Sequence, residues 1–366
     1  METLILGLED VCRVVRAIGI DELMDRTAAE LRAACRSMTA RGFRTPARSG
    51  FAYREPSLGL LEWMPAMDSS GRATIKIVGY HPNNPDRFCL PTILSALSLF
   101  DTDSGHLAAL LDGAFVTAIR TGAASLLASQ VLARPESRVL GLIGCGAQAV
   151  AQLHALTRSF PIEAVLLYDI DPQAAASFPE RAASVGAAEL SFHPASVPEV
   201  ASQADIICTC TSVEPGLGPV LSDSGLRPWA HINAVGADFA GKIELPRSLL
   251  ERAFVCADFP EQCLAEGECQ QLTASQIGAS LVELLQCAER YSAERERLTV
   301  FDSTGWALED HVTAQILVRE ARARGVGVEM RLEPSSDLDP RNPYAFLESA
   351  VDAVETPPEL ALGKLR

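Results

Sequence analysis

Gly144-Cys145-Gly146-Ala147-Gln148-Ala149 is the stretch whose residue types and spacing most directly offer chemistry. An apolar run, Val139 to Ile143, leads into it and a helical pattern leads out through Leu156. Strand, glycine turn and helix in that order suit a dinucleotide pyrophosphate. Gly144 permits the tight turn, Gly146 lets backbone approach phosphate, and Ala149 lets helix pack on strand. The helix N-terminus offers free N–H groups and positive dipole to the anion. A second apolar run, Ala164 to Tyr168, ends in Asp169, about 25 residues after the first glycine. A carboxylate there accepts ribose hydroxyls and repels a 2′-phosphate, so NAD is expected over NADP.

Four further places could carry chemistry. Arg120 is the only charge between Gly113 and Ala133, in a stretch patterned as a helix. An unpaired guanidinium in such a helix needs an anion, either a protein acid or a ligand carboxylate. The small neighbours Thr121-Gly122-Ala123-Ala124 leave room for the ligand. Lys76 lies mid-strand in ATIKIVGY, on one face with Thr74 and Val78; it is either solvated or part of a site. Asp238 follows HINAVGA, a strand ending in glycine, at the carboxyl edge where open α/β sheets bind ligands. A partly desolvated carboxylate there could have a raised pKa and shuttle protons, or could simply make a turn. Phe301-Asp302-Ser303-Thr304-Gly305 ends another strand at this edge, and its hydroxyls could touch ligand or cap the next helix.

The elements that must position these residues fall into two textures. Residues 10 to 42 are patterned as helices, and Gly59 to Leu111 as strands (LLEWMP, ATIKIVGY, TILSALSLFD, HLAALLDG) separated by Asp-Ser-Gly turns, which predicts an antiparallel or mixed sheet. A helix over about Ala114 to Leu132 leads into the glycine unit. Beyond it, short apolar runs (Val165–Tyr168, Ile206–Cys210, His231–Val235, Phe254–Ala257, Thr299–Phe301) alternate with helices or loops, the rhythm of a doubly wound parallel sheet. A last helix near Leu308 to Arg324 returns to the first unit. Glu333 to Pro343 is expected to be a loop, and 353–366 a frayed tail.

At 366 residues, 48% hydrophobic and 21% charged, the chain can bury the cores of two domains. A net charge of −16 argues against nucleic acid and anionic membrane surfaces as partners. The ten cysteines show no C-x-x-C pair and are expected as reduced thiols, with no metal site. The opening METLILGLEDV lacks a basic region before its apolar residues, so a cytoplasmic location is expected.

RTGAAS at Arg120, GCGAQA at Gly144, HINAVGADFAGK from His231, EGECQQL from Glu266 and FDSTGWALED from Phe301 together resemble the ornithine cyclodeaminase/mu-crystallin family over roughly residues 1 to 345. METLILGLEDV, LEWMP and VGADFAGKIELP are similar to the bacterial members that act on lysine and make pipecolate for natural products. The resemblance implies an α/β fold: a Rossmann doubly wound parallel sheet, 126–311, inserted into an α+β substrate-binding and dimerisation domain, 1–125 plus 312–352. It implies a homodimer acting on a small amino acid. It assigns Arg48, Lys76 and Arg120 to the substrate carboxylate, Asp238 to proton transfer and Thr304 to the substrate pocket. To NAD it assigns Thr92, Arg120, Gly144, Gly146, Ala147, Gln148, Asp169, Thr211, Val235, Gly236, Ala237, Asp238, Lys242 and Ser303. Where the family often has two glycines before the catalytic aspartate, this chain has Gly236-Ala237. The implied reaction oxidises lysine at Cα, lets the distal amine attack intramolecularly, expels ammonia and re-reduces the ring with the same NAD. Ornithine cyclisation to proline, a net amino-acid dehydrogenase or ketimine reductase, and a non-enzymatic ligand-binding role are the alternatives.

Overall fold

A computed structural model describes residues 1–333 and 338–347, apart from 340, 343 and 346. The expected tail, 353–366, and residues 348–352 of the expected first domain lie outside the described residues, as does part of the expected loop after Glu333.

Among the described residues, fifteen strands form two sheets. The first contains β1 (Thr3–Leu6), β2 (Ser49–Tyr53), β3 (Gly59–Asp68), β4 (Arg72–Tyr80), β5 (Ile93–Asp101), β6 (Leu107–Asp112) and β15 (Val328–Met330). Their order is β15-β1-β6-β5-β4-β3-β2. The run from β2 to β6 is antiparallel, while β1 pairs parallel with β6, so the sheet is mixed. Alternation along β3 and β4 turns Glu62, Met64, Thr74 and Lys76 inward and leaves Leu61, Trp63 and Ile77 more than a third exposed.

The second sheet contains β7 (Val139–Ile143), β8 (Ala164–Tyr168), β9 (Ser191–Pro194), β10 (Ile206–Thr209), β11 (His231–Ala234), β12 (Phe254–Ala257), β13 (Ala279–Ser280) and β14 (Thr299–Asp302). Every pairing is parallel, in the order β13-β12-β14-β11-β10-β7-β8-β9. Chain order reverses between β7 and β10, which creates the crevice at which doubly wound sheets take ligands.

Helix crosses both of the expected domain boundaries, with no flexible linker at either. Ala114–Leu132 passes the first and Ala307–Arg324 the second. Ala114–Leu132 is long and apolar enough to span a membrane, but 83% of its apolar window is buried inside the fold. It packs on the helix Ala147–Thr157, where a Cβ on Gly122 would stand 2.7 Å from the Ala151 carbonyl. The small residues after Arg120 therefore serve close helix packing; they do not make room for a ligand, as the sequence had implied. Gly305 makes room for the guanidinium itself, since a Cβ there would stand 2.5–2.9 Å from it.

Candidate active site

The glycine turn is built as its sequence demands. Gly144 has φ +91° and lies so close to the Cys210 carbonyl that a Cβ would be 2.7 Å away, so both conformation and space require glycine. A Cβ on Gly146 would meet nothing within 4 Å, leaving the helix N-terminus open to a phosphate. Ala147 is exposed there, Ala149 is fully buried, and the Gln148 side-chain oxygen is buried without a partner. Asp169, at the end of β8, accepts from the Cys145 N–H (2.7 Å) and the Asp171 N–H (2.9 Å). It thus shapes the turn, a role the sequence did not reveal.

Both sheets contribute to a single cleft, lined by Arg48, Glu62, Lys76, Tyr80, Arg120, Asp238 and Thr304 together with Leu60, Met64, Val78, Ile93 and Thr117. The structure therefore brings together all five residues assigned to the substrate. Thr92 precedes Ile93 and accepts from the His81 N–H (2.8 Å) through its carbonyl. Val235 and Ala237 are buried beside Gly236 in the loop after β11.

Lys76 is not a solvated strand lysine: it is 1% exposed, and its Nζ donates to Asp310 at 3.0 Å. Burial, reinforced by Arg120, pulls its pKa down to about 8, although Asp310 opposes the shift. Arg120 donates to Glu309 at 2.8 Å and lies 3.5 Å from Asp310. The protein-acid alternative is thus realised at Arg120, which also lines the cleft. Arg48 reaches across the sheets, donating to the Asp238 carbonyl (2.8 Å) and to Glu266 (2.5 Å), with Glu62 at 3.6 Å.

Asp238 departs from expectation. Burial pushes its carboxyl up, but Lys242 and Arg48 outweigh burial and hold it below the usual carboxylate range. Lys242, four residues on, donates to Asp238 at 2.9 Å and sits 5.5 Å above the Tyr80 ring. A cation placed one turn beyond an apparently solitary acid accounts for the difference, and keeps Asp238 in its ionised form. Ser303 and Thr304 donate to Asp258 (3.2 and 3.3 Å), and no side-chain cap starts the helix Ala307–Arg324. The capping alternative for these hydroxyls is thereby excluded.

Glu62 was missed. It is 6% exposed on the inward face of β3, and burial, with Glu266 and Asp238 nearby, raises its pKa to about 7 against the pull of Arg48 and Lys76. The signal was there: Leu60-x-Glu62-x-Met64 puts an acid in register with apolar inward positions. Glu309 and Asp310 were also missed, because acids in the first turn of a helix normally answer its dipole.

A doubly wound parallel sheet with a glycine turn at its switch point, closed by a second sheet that adds cations to the carboxyl-edge cleft, defines a nucleotide-binding α/β enzyme class. The chain belongs to the ornithine cyclodeaminase/mu-crystallin family, whose model matches residues 8–325. It is 42% identical over 343 residues to the L-lysine cyclodeaminase of Streptomyces rapamycinicus, covering 93% of this chain and 99% of that one. Among solved structures, it is similar to a lysine cyclodeaminase studied for recognition of L-lysine, L-ornithine and L-2,4-diaminobutyric acid: TM-score 0.89, 47% identity, 94% of this chain and 99% of that one. An archaeal alanine dehydrogenase dimer with bound NAD matches with TM-score 0.81 and 32% identity, over 91% of this chain and 100% of that one.

Proposed function

We propose that the protein is an ammonia-lyase that cyclises L-lysine to L-pipecolate, with NAD as a recycled cofactor. One observation carries this reading: a single cleft is lined by three cations, Arg48, Lys76 and Arg120, and by two carboxylates, Glu62 and Asp238. An α-amino acid with a second amine needs both signs of charge in one cleft. The cations take the α-carboxylate, with Arg120 presenting a planar fork. Glu62 faces the distal ammonium, which an alanine-like substrate would lack. Similarity to the Streptomyces rapamycinicus enzyme supports lysine over ornithine, which is one methylene shorter.

The dinucleotide fits what this chain offers: the open position at Gly146, the unpartnered Gln148 oxygen, Asp169 at the ribose position and Ile170, 91% exposed, beside the adenosine half. Thr92, Thr211, Val235 to Asp238, Lys242 and Ser303 would border its nicotinamide half, with Arg120. Bound NAD supplies the redox chemistry, accepting hydride from Cα and giving it back. The remaining work falls to side chains. Held ionised by Lys242 and Arg48, Asp238 takes a proton from a substrate amine, so that the neutral distal nitrogen can attack the imine carbon, and returns one to the departing ammonia. The cations hold the carboxylate still throughout, which keeps attack intramolecular.

Residues 1–125 with 312–352 would form the substrate and dimerisation domain and 126–311 the NAD domain. A homodimer is supported by the outward face of the first sheet, where Phe51, Leu61, Trp63, Ile77 and Leu94 are 36–62% exposed on neighbouring strands. The ten free cysteines suit a reducing cytoplasm. A role in natural-product biosynthesis rests on the sequence resemblance. The test is an equimolar lysine and ornithine mixture with catalytic NAD, analysed by mass spectrometry with absorbance followed at 340 nm. Pipecolate as the main product without net NADH is expected. Mainly proline would overturn the substrate, and stoichiometric NADH the reaction.

A further inference from the structure

Glu244 lies in the VGADFAGKIELP segment but was given no role there, yet its carboxylate is fully buried and joins two loops of the nucleotide crevice. It accepts from the Thr211 N–H (2.7 Å) and hydroxyl (2.7 Å) after β10, and from the Gly236 N–H (2.9 Å) after β11. The Thr209 hydroxyl in β10 donates a fourth bond at 2.6 Å. A carboxylate offers about four acceptor sites, so all are used and none is left for a ligand. The backbones are drawn together to match: a Cβ on Gly236 would stand 2.4 Å from Glu244 Oε1 and 2.6 Å from the Thr211 carbonyl. Glu244 is itself held, its N–H donating to Glu268 Oε1 at 2.6 Å. Glu268 in turn takes its backbone position from Asp302, which accepts its N–H at 3.0 Å.

The two loops it joins lie on one side of the switch point. Asp169 at the end of β8 serves the adenosine half, whereas β10 and β11 lie on the other side of β7, where the second half of a dinucleotide must extend. We propose that Glu244 is a positioning residue for the nicotinamide half of the dinucleotide: it fixes the spacing of the Thr211 and Gly236 loops and touches no ligand. This rests on the dinucleotide reading above.

Because Asp169 and the glycine turn are untouched, the two halves of the ligand separate the outcomes. Glu244→Gln turns one oxygen into an NH2 that faces a donor of Thr211, Thr209 or Gly236. In full-length protein freed of nucleotide, its Kd for NAD should rise ~10-fold or more, the cost of an unmatched buried donor. Its Kd for ADP, which lacks the whole nicotinamide riboside, should stay within about twofold of wild type, since the contacts of the adenosine half remain. Thr209→Val removes one anchoring hydroxyl with little change of shape, and should raise the NAD Kd ~3-fold with the ADP Kd unchanged; it carries the test if the glutamine variant does not fold. Equal losses for both ligands, or no loss for either, would overturn the positioning role. Wild-type protein that binds neither ligand would overturn the dinucleotide reading itself.

Discussion

Replacing Glu62 by Gln probes the assignment that distinguishes a diamino acid from a simple amino acid. Two unit charges 3–4 Å apart attract by ~4–5.5 kcal/mol at an effective dielectric of 20. After desolvation, a hydrogen bond to a charged group nets about 1.5–3 kcal/mol. Glu62→Gln should therefore lower kcat/KM for lysine ~10- to 150-fold, while NAD binding stays unchanged. The pH profile sharpens the assay. Folded Glu62 titrates at about 7, so kcat/KM should rise with pH through that value as the carboxylate ionises. Lys76, brought down to about 8, loses its charge beyond that value, so kcat/KM should fall again on the alkaline side. In Glu62→Gln the acid arm due to this group vanishes and the alkaline arm remains. Stability gives an independent check. Because folding raises the Glu62 pKa from 4.5 to about 7, the native state binds more protons across that window, and the group's contribution weakens as pH rises. The Gln variant should lack that decline in a thermal-melt series. A variant with kcat/KM within threefold of wild type and an unaltered acid arm would refute the role of Glu62.

Asp238→Asn should fold and bind NAD but lose at least ~10²-fold in kcat, as expected for a general acid–base group; steady-state rates at saturating lysine and NAD decide this, and near-wild-type turnover would remove Asp238 from the chemistry. Arg120→Lys keeps charge near Glu309 but loses the fork, so kcat/KM for lysine should stay ~10-fold or more below wild type; full activity would exclude the guanidinium as the carboxylate clamp. Trp63→Glu with Ile77→Glu puts like charges on facing positions of the exposed sheet face; light scattering should then show monomer where the wild type is dimeric, and a persistent dimer would place the interface elsewhere.

Legibility in the sequence followed the range of the interactions involved. The glycine turn, β7, β8 and the helix Ala114–Leu132 are set by local period and turn chemistry, and the residue pattern identified each of them. β1 was not identified, because its partners Ala109 to Leu111 lie more than 100 residues away and four residues carry no period of their own. The cleft behaved similarly. Arg120 announced itself as a lone charge in an apolar helix, but its acids Glu309 and Asp310 sit 189 and 190 positions on and looked like ordinary helix-start residues. The expected upward pKa shift at Asp238 failed because Lys242 faces it across a turn and Arg48 arrives from the other sheet. Burial alone was legible; the compensating charges were not.

Cofactor recycling within one turnover is the central claim, and lysine carrying deuterium at Cα tests it most directly. The labelled substrate is converted with catalytic NAD in the presence of excess unlabelled NADH, and the pipecolate is weighed by mass spectrometry. Hydride that leaves Cα and returns from the same bound cofactor keeps the label, so pipecolate should retain most of its deuterium. Complete washout into the NADH pool would show that the cofactor exchanges on every turnover, contradicting the cyclodeaminase account and favouring a dehydrogenase.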